Sequence, residues 1–168
     1  MGPGGNQFPL RFAGIVPTNG AFAPQDSTYA KHVMPVFYVA GESSHLAELP
    51  HQKSFAMGSD KPGEENGVDR TLAYYFKRNR VMDSYKYDGS VNEIWGIRPD
   101  NSHKEQSAQF GDVKVTVNEF TSNDGNIYTV LASNSNAGHE PIEQSIREAW
   151  KFIRQFNRNA DGSIKIAK

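Results

Sequence analysis

The sequence predicts an α/β fold, with a largely buried sheet and helices packed against it. Three observations carry that expectation. Residues 33–40 are nearly continuous apolar sequence rich in Val, Phe and Tyr, as a strand covered on both faces requires. Val113, Val115 and Val117 alternate with Lys114, Thr116 and Asn118, the period of a half-exposed strand. Ile142, Ile146, Ala149, Trp150, Ile153 and Phe156 recur at helical spacing and form one apolar stripe. The implied order is strand, strand, helix, hairpin, helix. A chain of 168 residues is one domain's length, with residues 1–7 and 159–168 expected as flexible ends.

Along the chain, residues 12–16 form a short apolar run broken at Pro17 and Gly20, which reads as a buried strand and a loop. Gly41 ends the second strand. Residues 43–66 are polar and irregular, hence loop. Val68, Leu72, Tyr75 and Phe76 have helical spacing, so a helix is expected over 67–81. Residues 82–111 read as loop again, with 93–97 as a short strand. Residues 112–133 form a hairpin, its turn carrying Asp124-Gly125. For the last helix, Pro141 suits the first helical position, where a missing N–H costs nothing. Glu140 and Glu143 fall in its first turn, favourable to the helix dipole, and residues 159–163 stop it.

Composition narrows the function. The net charge is -1, and the 18 Lys and Arg are spread through the chain, so neither nucleic acid nor an anionic membrane surface is an expected partner. With no cysteine there is no disulfide framework, thiolate zinc site or cysteine nucleophile. No apolar run approaches the roughly 20 residues that span a bilayer. No basic start and apolar stretch mark a signal peptide; the chain reads as cytoplasmic as it stands, full-length relatives could be secreted, and the localisation stays unknown. Asn6 breaks the myristoylation pattern that Met1-Gly2 begins. The hydrophobic share is 37%, with 15 Gly and 9 Pro; the fold is loop-rich, or something else supplies part of its core.

Three loops follow strand ends: 17–20, 41–44 and 134–140. Ligands collect at such ends in open α/β sheets. The last loop holds His139, and a neutral imidazole is the usual base for activating a hydroxyl. Such a base needs a carboxylate to fix its tautomer and stabilise the imidazolium. Glu42, at the end of the second strand, is the geometric candidate, although most such carboxylates are simply solvated. His32, His45, His51 and His103 read as ordinary surface residues. Residues 139–143, His-Glu-Pro-Ile-Glu, lack the second histidine of a zincin helix, and no phosphate-binding or cofactor pattern occurs.

Residues 11–22, 34–43 and 136–156 together resemble the C-terminal half of an α/β-hydrolase esterase, closest to polyhydroxybutyrate depolymerases and feruloyl or acetylxylan esterases. In that family the order is serine, acid, histidine. The resemblance implies a carboxylic ester hydrolase with His139 as base and Glu42 as acid; Glu48 and Asp100 are the other acids it leaves open. Two departures stand out. No Gly-x-Ser-x-Gly occurs in the chain, so the expected fold is a partial sheet lacking the nucleophile-elbow half, inactive alone. Ser43 and Ser44 occupy the usual place of the acid. The implied partner is an ester of a small molecule, polyester or polysaccharide, and an open apolar strand edge invites self-association. The alternative is a non-catalytic module that binds carbohydrate or polyester, or that pairs with a partner completing the sheet. Tyr74, Tyr75, Tyr85, Tyr87 and Trp95 are then the candidate stacking face, although residues of these types are mostly buried.

Overall fold

β-Branched and aromatic residues need cover on both sides of a strand, and the chain supplies it from two separate helices. The computed structural model describes residues 12–19, 32–46, 48–52 and 65–167. Residues 1–7, expected as one flexible end, lie outside them. Strands β1 (Val36–Gly41), β2 (Asn101–Gln106), β3 (Lys114–Thr121) and β4 (Ile127–Asn134) form one sheet in the order β1-β4-β3-β2. β1 runs parallel to β4, and the other pairs are antiparallel. The protein therefore has mixed α/β content around a mixed four-stranded sheet, with helices α1 (Gly67–Arg78) and α2 (Glu143–Ile153).

Strict alternation sorts the sheet's side chains onto two faces. Phe37, Val39, Val115, Val117, Val130 and Ala132 pack with Ala149 and Phe152 of α2. Tyr38, Ala40, Phe120 and Leu131 pack with Val68, Leu72 and Phe76 of α1, and with Tyr85 and Trp95. Every residue of β1 is buried. Its outer side is not open: Ile15 and Thr18 bridge to Val36 and Val39 in parallel, with Ile15 N–H on Pro35 O at 2.9 Å. The expected bare apolar edge at β1 is thus absent, because residues 15–18 cover it. The opposite edge strand, β2, is polar and exposed.

The local chemistry explains the boundaries. Asn66 caps α1, accepting from Val68 N–H at 2.8 Å, while Asp69 returns a bond to Asn66 N–H at 2.8 Å. The helix ends at Arg78, and the positive φ of Arg80 turns the chain away. β2 falls in a stretch that reads as loop, since Asn101–Gln106 has no apolar residue and pairs with β3 alone. The expected strand at 93–97 is a turn. α2 begins at Glu143 with Pro141 outside it, so Glu140 is not in its first turn.

Ile146 and Trp150 are 50% and 64% exposed, which corrects the expected apolar stripe. α2 buries Ser145, Glu148, Ala149 and Phe152 instead. It is rotated because Ser145 donates to buried Asn134 and because Glu148 pairs with Lys151 and His103. Glu143 accepts from Ala108 N–H, Gln109 N–H and Ser107, and the Gln109 bond contributes most to holding its carboxyl below the ordinary range. The clamp's contribution is therefore full above the unfolded carboxyl value and is lost as pH falls through the lowered one. Residues 159–163 close a second hairpin, β5 (Phe156–Arg158) with β6 (Ile164–Ile166).

Asn79 ties α1 to the sheet. Fully buried, it accepts from Met34 N–H at 2.8 Å and donates to Met34 O at 2.8 Å and Thr129 Oγ1 at 2.9 Å. Asn79→Ala orphans buried backbone groups, so urea unfolding should show a loss of about 2–3 kcal/mol. A loss below about 0.5 kcal/mol, the scale of an ordinary surface substitution, would contradict the assignment.

Candidate functional site

The site begins with a glycine. A Cβ on Gly41 would lie 1.9 Å from Gly138 O and 2.8 Å from Ala137 O, so only glycine lets the end of β1 lie against the 135–140 loop. Two backbone bonds close the seam, Glu42 N–H on Asn134 O at 3.0 Å and Ser43 N–H on Ala137 O at 2.9 Å. The third strand-end loop joins them: Asn19 Nδ2 donates to Glu140 O at 3.2 Å. Glu140 in turn accepts from Gly138 N–H at 3.0 Å, which fixes the Ala137–Gly138 peptide. The three strand-end loops marked out by the sequence thus meet.

Beneath the seam lies Glu48, 1% exposed. The chain turns back after Ser44, so a residue seven positions beyond Gly41 returns to it. Gly41 N–H donates to Oε2 at 2.8 Å, and Ser44 Oγ donates to Oε1 at 2.6 Å. The turn is itself braced. Gln52 Oε1 accepts from Glu48 N–H at 3.0 Å, and Tyr38 OH donates to Glu48 O at 3.0 Å. Burial, and then the negative charge of Glu48, push the Tyr38 phenol upward, so it remains a donor. A buried carboxylate is tolerable only with such partners.

The last partner is His139. Its Nδ1 lies 2.5 Å from Glu48 Oε1, and its side chain is 52% exposed. Bonding Nδ1–H to a carboxylate leaves Nε2 as the lone-pair nitrogen on the opposite edge of the ring. The arrangement can therefore take a proton at Nε2 while Glu48 stabilises the resulting imidazolium.

Of the expected residues, His139 meets the carboxylate of Glu48, not that of Glu42. Glu42, just past the end of β1, lines a groove with Trp95, Thr116 and Ser133. Asp100 accepts from Thr121 N–H at 2.7 Å and so secures the β2–β3 end of the sheet. The histidines read as surface residues divide. His45 is exposed, whereas His51 Nδ1 contacts Asp69 Oδ1 at 2.8 Å and stacks on Tyr87 with centroids 4.5 Å apart. Since Asp69 also caps α1, this second pair braces the turn that carries Glu48. The aromatic stacking face is not formed as a unit, because Tyr75, Tyr85 and Trp95 are core residues. Among the described residues no three His, Asp or Glu side chains cluster as metal ligands. No protein-family model matches the chain, and no curated protein matches it.

Two outcomes check the geometry. Gly41→Ala forces backbone against backbone and should cost about 3 kcal/mol or prevent folding; an unchanged melting temperature would refute the close approach. In 15N-labelled protein at alkaline pH, His139 should hold its proton on Nδ1, and Glu48→Ala should abolish that preference. An Nε2-protonated ring in the unmodified protein would contradict the assigned bond.

Proposed function

We propose that Glu48 and His139 are the acid and base of a serine-type carboxylic ester hydrolase, in a chain corresponding to the C-terminal part of an α/β-hydrolase sheet. The observation that carries the reading is the fully buried carboxylate on Nδ1 of a half-exposed imidazole. Three further features support it. The acid precedes the base in sequence, as in that family. Acid and base follow the ends of two adjacent parallel strands, β1 and β4. The residues resembling the family's acid strand and histidine loop are those that meet.

In the mechanism, a serine hydroxyl attacks the ester carbonyl carbon and passes its proton to His139 Nε2. The imidazolium remains bonded through Nδ1–H to Glu48; Gly41 and Ser44 hold that carboxylate, and Tyr38 and Gln52 hold the Glu48 backbone. Collapse of the tetrahedral adduct releases the alcohol, which takes the proton from Nε2. Water then repeats the sequence against the acyl-serine and frees the acid. The serine itself is not assigned within this sequence, which contains no Gly-x-Ser-x-Gly. The acyl donor is an ester of a small molecule, a polyester or a polysaccharide.

The test pairs two proteins. The 168-residue chain should not turn over p-nitrophenyl esters. A longer in-frame product that contains a Gly-x-Ser-x-Gly segment should hydrolyse them, and His139→Ala should lower its kcat by roughly 10⁴-fold, as loss of triad function does. Turnover by the short chain, or a longer product indifferent to His139→Ala, would overturn the proposal.

A further inference from the structure

The sheet's α1 face changes character halfway along its strands. Toward one end it carries Tyr38, Phe120 and Leu131, roofed by α1 and the 81–97 segment. Toward the other, the register places Lys104, Thr116 and Ser133 in one row across β2, β3 and β4. Ser102 and Asn118 form part of the neighbouring row. Strands lie about 4.8 Å apart, so the three-strand row spans roughly 10 Å, the size of one sugar ring with its substituents. Lys114, Ser135 and Glu42 complete a groove of about 420 Å³, walled by Asn92, Trp95 and Pro99.

Its chemistry is specific. Neither Lys104 nor Lys114 has an ion-pair partner among the described residues, and Glu42 at one margin leaves the groove one positive charge in excess. That balance favours a monoanion over a phosphate dianion. Hydroxyls and an amide line the floor, where a packed sheet face ordinarily carries apolar side chains. Trp95 is 0% exposed, yet among the described residues its indole N–H has no hydrogen-bond partner. Buried polar groups are ordinarily paired, and this unpaired donor belongs to a residue of the groove wall.

We propose that this groove binds a carboxylate carried on a hydroxyl-rich scaffold, a sugar acid. The two ammonium groups meet the carboxylate, while Ser102, Thr116, Asn118 and Ser133 meet the hydroxyls. The site is separate from the Glu48–His139 pair and does not depend on its role.

The test uses the full chain carrying Trp150→Phe, which removes the exposed indole and leaves Trp95 as the sole reporter of the two tryptophans. Sodium glucuronate should change the Trp95 emission saturably. Lys104→Gln and Lys114→Gln should each weaken binding about tenfold, and His139→Ala should leave it unchanged. Amide shifts of Ser102, Thr116 and Ser133 in the unsubstituted protein give an independent readout if the variant folds poorly. Glucose or acetate binding as tightly as glucuronate, lysine variants that bind normally, or no saturable response in either readout would overturn the proposal.

Discussion

A carboxylate buried at the end of a strand organises this molecule. Glu48 is out of water, and burying an unpaired carboxylate would cost several kcal/mol. Its partners come from three places in the chain: the last residue of β1, the turn after it, and the loop between β4 and α2. The last two are irregular backbone. Satisfying one charge therefore fixes the relative positions of all three. The parallel pairing of β1 with β4 makes this possible, because it ends both strands on the same side of the sheet.

The rest of the fold serves that junction. α1 and α2 cover opposite faces, so β1 can be apolar throughout. The capping box of Asn66 and Asp69 does two jobs. It starts α1, and through Asn66 Nδ2 on Leu49 O and Asp69 on His51 it anchors the turn that returns Glu48 beneath Gly41. The geometry of the acid is thus set partly by residues 17 or more positions away in sequence. The Glu48–His139 pair is held in one orientation by the fold itself.

How much of this was legible in the sequence follows from the range of the interactions. Elements with strong internal periodicity were readable: the apolar run of β1, the alternation of β3, the Asp-Gly turn and the spacing of α1. β2 was not, because an all-polar strand that borrows its pairing from β3 has no pattern of its own. The face of α2 was misread because Ser145 and Glu148, polar in sequence, find partners in Asn134, Lys151 and His103 that only the tertiary structure supplies. His139 stood out through its glycine neighbour and strand-to-helix setting. Glu42 is nearer the strand end than Glu48, but it lines the groove beside Trp95 while the returning turn brings Glu48 to His139.

The coupling between Glu48 and His139 is the most direct measure of this account. A double-mutant cycle on unfolding free energy, using Glu48→Gln and His139→Gln singly and together at neutral pH, isolates their interaction. A charge-assisted bond anchored at its carboxylate end predicts a coupling of about 1.5–3 kcal/mol. Additivity within about 0.5 kcal/mol would mean that the imidazole only lies near the carboxylate, and that the junction is held by other contacts.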